Sequence, residues 1–279
     1  MPIHDQGYRR YGGQRAPRGR AWTVIAKAGI RTRLGQRAFL ALLLLSWLPF
    51  LVRAVQLYAA ANLPQAAFLA PTPGLFRQFL EQQGIFVFFL TVYGGAGLIA
   101  HDRRANALQI YLSKPVTRAE YVFGKLAILM VWLLLVTWVP AILLLVVQIA
   151  FAGNVEFFTG NLYLFPAITM FAFLEVITVS TAMLALSSLS NSSRYVGILY
   201  AALLFFSEAL FGVLRLVAGN TRLSWISVPF DLNQVGDAIF RLPLRYDTPW
   251  PLSLAVLVLL VVASGFVLER RVRGIEVIA

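Results

Sequence analysis

The chain has 279 residues, 59% of them hydrophobic and only 13% charged, with a mean hydropathy of +0.75. So little charge cannot cover the surface of a water-soluble domain, and the apolar residues fall in runs that reach the roughly 20 residues needed to cross a bilayer. The formal net charge of +12 comes from clustered Lys and Arg and reports topology rather than nucleic acid, while the lack of cysteine excludes disulfides, thiolate catalysis and cysteine metal sites.

Residues 1–19 form a basic tail rich in Gly, Arg and Tyr, with too little apolar surface to bury, and are expected to be disordered. No apolar core of a cleavable signal lies near the start. Residues 20–37 read as an interfacial amphipathic helix: Arg20, Lys27 and Arg31 share one face, and Trp22, Ile25 and Gly29 lie opposite. An ordinary juxtamembrane anchor is the alternative.

Residues 38–268 read as a six-helix transmembrane domain, followed by a basic tail over 269–279. The first span covers roughly 38–61, kinked at Pro49. A connection over 62–83 holds a short helix with Thr72 as cap and Pro73 in its first position. The second span follows over about 84–100, with Gly94, Gly95 and Gly97 allowing close helix approach. The third runs from Tyr121 to Phe151 with a kink near Pro140, the fourth over about 162–189, and the fifth over about 195–218. The loop 219–250 carries a short helix capped by Asp231, and the last span is about 250–268. No internal repeat is visible, so an inverted-repeat carrier gains no support. Trp22, Trp225 and Trp250 near span ends suit an interfacial aromatic belt.

Orientation follows from the basic residues. The N-terminal segment, the 101–125 segment, the 190–195 turn and the C-terminal tail together hold 18 Lys and Arg, and six lie at or near the other side. Positive residues stay in the cytoplasm, so both termini and the second-to-third-span loop are expected there.

That loop, His101 to Lys125, carries the most information. Its first part forms a short helix with Leu108, Tyr111 and Leu112 as an apolar edge, broken at Ser113-Lys114-Pro115. Thr117-Arg-Ala-Glu120 is a capping box that opens the third span. Physics alone describes a well-capped loop at the membrane surface. Its pattern, however, resembles the cytoplasmic loop of type-2 ABC transporter permeases, with Pro115, Arg118, Gly124 and Lys125 matching that family's Pro-x-x-Arg and closing Gly-Lys. Asp102 and Arg103 stand where Glu-Arg is usual, and the family's Gly-Thr pair is missing. The tail from Glu269 to Ile278 is similar to the basic ending of family members.

The resemblance implies a cytoplasmic coupling helix around Asp102 to Leu112, with Asp102, Arg103, Arg104, Leu108, Tyr111, Leu112 and Arg118 facing an ATPase. It also implies two copies of a separate ABC ATPase carrying ATP and Mg, a second permease copy as homodimer or similar heterodimer, and residence in a bacterial inner membrane. The expected function is that of the permease of an exporter, with no cofactor or catalysis of its own. The only Gly-Lys pair, Gly124-Lys125, is followed by Leu126 and cannot form a phosphate-binding loop. His4 and His101 are too far apart to suggest a metal site.

Besides Lys125 near the start of the third span, four charges fall within the spans. Glu175 and Glu208 lie near the middle of the fourth and fifth spans, where each costs on the order of 2.5–3.5 kcal/mol if left facing lipid. Arg215 is seven residues after Glu208 on the same helical face, and Arg53 lies toward the outer end of the first span. These charges either line a substrate path, with Thr178, Ser180 and Thr181 adding polar surface near Glu175, or pair to lock helix packing. An ion-gradient-driven transporter or channel using the two glutamates, and a membrane assembly subunit without a path, are the alternatives to an ABC permease.

Overall fold

The computed structural model describes residues 19–107, 116–152 and 156–272. Six helical segments among them are long and apolar enough to cross a membrane: Arg37–Asn62, Pro73–Arg104, Arg118–Phe151, Leu164–Leu189, Ser193–Ala218 and Trp250–Arg271. The protein is all-α and multi-pass. The expected disordered tail falls almost wholly outside the described residues, as do Leu108, Tyr111, Leu112 and residues 273–279.

Helix α1 (Ala21–Leu34) precedes the first span, which divides into α2 (Arg37–Leu45) and α3 (Leu48–Asn62). The break at Ser46–Trp47 stands just ahead of Pro49, which sits in the first turn of α3, where a missing N–H costs no hydrogen bond. The second span divides into α4 (Pro73–Gly95) and α5 (Gly97–Arg104). Thr72 and Pro73 open α4 as the sequence predicts, but the short helix they start does not stop: it continues unbroken through the whole span. Arg77, Glu81 and Gln83 depress the hydropathy of its first turns, yet each has a partner elsewhere in the fold. Gln83, for instance, donates to the Ser46 carbonyl at 3.1 Å, closing the break in the first span.

The third span divides into α6 (Arg118–Val136) and α7 (Trp138–Ala152). The break at Thr137 precedes Pro140, and the Thr137 hydroxyl donates to the Leu133 carbonyl at 2.8 Å. A five-residue helix, α8 (Glu156–Gly160), leads to the fourth span, α9 (Leu164–Leu189). The fifth span, α10 (Ser193–Ala218), ends at Gly219, whose φ of 65° is the left-handed turn that glycine makes without strain. In the following loop, α11 (Val228–Ile239) starts at Ser227, so Asp231 is not the cap that the sequence suggested but a residue of the first turn. Helix α12 (Trp250–Arg271) is the last span.

The fourth span is the hub. Two thirds of its apolar window (67%) is buried inside the bundle, against 11% for the first span. Lipid gives helices no hydrophobic reason to associate, so close packing between small residues has to supply the attraction. Ala167, Ala172, Ser180, Ala182, Ala185, Ser187 and Ser188 of α9 are all buried. Gly95 of α4 fits against Met183 of α9 and Leu129 of α6, with no room for a side chain.

Candidate functional site

The end of the bundle that holds α1, α5 and the start of α6 is tied together by polar contacts. The capping box forms as the sequence predicts: Thr117 Oγ1 accepts from the Glu120 N–H at 3.2 Å, and Glu120 Oε2 accepts from the Thr117 N–H at 2.9 Å. The other carboxylate oxygen, Oε1, accepts from the Ala21 N–H at 3.2 Å and so satisfies one of the free donors at the start of α1. Below this contact the helices nearly touch. A side chain on Gly124 would lie 2.8 Å from the Ile25 Cβ and 3.0 Å from the Trp22 carbonyl.

Lys125, next in sequence, points its Nζ to 2.6 Å from Asp102 Oδ2, and the Tyr121 hydroxyl donates to the same oxygen at 2.7 Å. The Gly-Lys pair therefore works as a joint. The glycine admits α1, and the lysine fastens α5 to α6. Arg33 of α1 adds a third tie by donating to the Gly94 carbonyl at 3.0 Å, and its burial lowers the guanidinium pKa.

Of the residues the sequence assigned to this face, Asp102 is taken up within the chain, Arg103 is half-buried, and Arg104 and Arg118 are exposed. Asn106 closes the end of α5 with a φ of 52°, a left-handed conformation that asparagine tolerates better than most residues. The bend between α4 and α5 is repaired from the hub. The Ser187 hydroxyl accepts from the N–H groups of Ile99 and Ala100 at 3.1 and 3.0 Å and donates to the Ala96 carbonyl at 2.8 Å.

Deeper in the bundle, α4, α9, α10 and α11 surround a cavity of about 380 Å³. Glu175 and Glu208 both line it. Glu175 is 7% exposed, and its Oε2 is buried without a hydrogen-bond partner. Glu208 lies on an exposed edge, and among the described residues no ion pair joins it to Arg215, which points away from the bundle. Arg53 is not part of the cavity; it bonds to Gln56 at 2.8 Å and Gln82 at 3.4 Å. Thr178 and Thr181 donate to carbonyls of their own helix and do not line the cavity either.

Local sequence pattern does not single out Arg77. It is fully buried at one wall of this cavity, with Nε 3.2 Å from Asp237 Oδ1, Nη2 donating to Asn233 Oδ1 at 2.8 Å, and its guanidinium 4.6 Å from the Phe171 ring centre. Arg245 completes the group. It donates to both oxygens of Glu81 at 2.7 Å and places its Nε 2.7 Å from Asp237 Oδ2. The Glu81 hydrogen bonds raise the Arg245 pKa, and burial pushes the Asp237 carboxyl up despite the two guanidiniums that pull it down. Two cations and two anions thus clamp the first turns of the second span to α11 and the loop after it. Sequence separation of about 160 residues hides this pairing.

Among the described residues, no three acidic or histidine side chains converge where a metal ion could sit. A family model described as "ABC-2 family transporter protein" matches residues 71–268, a range that contains the cavity, the charged clamp and the joint at Lys125. No curated protein matches the chain.

Proposed function

Since the chain belongs to the ABC-2 family of transporter proteins, we propose that it is the permease of an ATP-driven exporter. It is a multi-pass membrane protein and the membrane subunit of an ABC transporter. On this reading a separate ABC ATPase, present in two copies, binds ATP and Mg and docks on the end that carries α1 and α5. A second permease copy completes the assembly in a bacterial inner membrane, with both termini in the cytoplasm. The clustering of basic residues supports that orientation. Gly124-Lys125 supports placing ATP on the partner, because its glycine is pressed against Ile25 and its lysine is held by Asp102.

The observation that carries the proposal is the bent second span. Its α5 half is fastened to α6 through Asp102 and Lys125, and its α4 half forms a wall of the cavity through Arg77 and Phe88. ATP-driven closure of the ATPases would push the loop after α5, and the bend at Ala96 would pass that push to the cavity wall. Arg103, Arg104, Leu108, Tyr111, Leu112 and Arg118 are the proposed contacts, with Asp102 holding them in place. Replacing Leu108 and Tyr111 with Asp is expected to release the ATPase from membranes; unchanged co-purification would refute the assignment.

A further inference from the structure

We propose that the cavity between α4, α9, α10 and α11 is a binding site for a lipophilic organic cation. The inference rests on reading this cavity as part of the transport path and adds the chemistry of what enters it.

Charge balance is the first argument. Among the described residues Arg77 is the one basic side chain on the cavity wall, and its guanidinium is already shared among Asp237, Glu81, Asn233 and the Phe171 ring. Arg245 neutralises the remaining charge of that group through Glu81 and Asp237. Glu175 and Glu208 stand outside the balance, and among the described residues neither has a basic side chain within ion-pair distance. Of the carboxylates on the cavity wall, Glu175 and Glu208 are thus the two that no basic side chain among the described residues contacts directly. The buried, unbonded Glu175 Oε2 is a group that a ligand would satisfy.

The walls select the kind of cation. Phe88, Phe171, Tyr200 and Phe205 line the cavity, a largely aromatic wall suited to a cation whose charge is spread over carbon. A bare metal ion would need several oxygen ligands, which two separate carboxylates among aromatic rings do not provide. Ile85, Phe89 and Phe205 at the mouth are exposed between the second and fifth spans, so the opening is apolar and accessible to a molecule dissolved in the bilayer.

The test uses the purified full chain and two ions of equal size and opposite charge. Tetraphenylphosphonium is expected to bind saturably, and tetraphenylborate is not. Glu175→Gln and Glu208→Gln should each weaken binding of the cation at least about tenfold. Glu208 lies on an exposed edge, so its variant keeps the test valid should the buried substitution disturb folding. Equal binding of both ions, or a cation affinity unmoved by either folded variant, would overturn the proposal. Recruitment of the ATPase is scored on the same preparations. A chain that recruits it but ignores ligand charge loses the cation site and keeps the coupling; a chain that binds the cation and recruits no ATPase does the reverse.

Discussion

The ammonium of Lys125 lies 2.6 Å from Oδ2 of Asp102, and both side chains are largely buried at the joint between the second and third spans. Each therefore depends on the other. Asp102→Ala would strand a buried cation, and breaking such a pair costs about 3 kcal/mol, toward the lower end of the range because neither partner is fully enclosed. A clear fall in melting temperature in detergent is expected. The double variant Asp102→Asn, Lys125→Met should recover part of it, since it removes the buried charge along with its partner. A double variant no better than Asp102→Ala would show that the pair does not fasten the joint.

Gly124 makes a separate prediction about α1. A methyl group there would press on the Ile25 side chain and on the Trp22 carbonyl, and the backbone atom cannot move aside cheaply. Gly124→Val should lift α1 from the third span, at a cost of about 1–3 kcal/mol. Faster proteolysis at Arg20 and Lys27 would report the detachment. Gly212→Ala, with nothing near its added methyl, is the control expected to leave α1 protected.

Much of this arrangement is legible in the sequence, and what is not turns on side-chain pairing that local pattern does not decide. Pro49, Pro140 and the Thr117–Glu120 box mark helix breaks and starts through local sterics and hydrogen bonding, so the sequence places them correctly. Glu175 and Glu208 stand out because charge at mid-span is costly, and they do meet at one cavity. The sequence pattern puts the start of the second span late because Arg77, Glu81 and Gln83 look like a polar connection. Their partners, Asp237, Arg245 and Ser46, are tens to more than a hundred residues away, and no local pattern reveals them. Glu208 and Arg215 are the converse case, with no ion pair between them among the described residues. Sharing a helical face permits a pair, yet seven residues leave the two side chains about two turns apart.

Ser187 is predicted to hold the bend that separates the two halves of the second span. Ser187→Ala would leave the Ile99 and Ala100 N–H groups and the Ala96 carbonyl without their shared partner, in a site closed to water. An unsatisfied buried polar group costs about 1–3 kcal/mol, and here the loss is local to the bend. Hydrogen exchange at the Ile99 and Ala100 amides should accelerate strongly, while the amides of the α9 core change little. ATPase activity that continues while substrate movement falls is the matching functional result, since the bend is where a push would reach the cavity wall. Unchanged exchange at both amides would remove Ser187 from the joint.

Asp231 predicts a pH dependence for the roof of the cavity. It is fully buried in the first turn of α11, whose Pro229, Leu232 and Asn233 line the cavity. Burial pushes its pKa up to about 7, with the Ser253 hydroxyl pulling weakly the other way. The folded protein therefore holds a proton that the unfolded chain gives up near the ordinary carboxyl value of about 4. Between those values the folded state binds more protons, so stability falls as pH rises and stops falling once the folded-state group has itself ionised, above about 7. Asp231→Asn should melt several degrees higher than the parent at about pH 8 and nearly level with it at about pH 4. The gap must open with rising pH; a variant equally stabilised across the range would place the titrating group elsewhere.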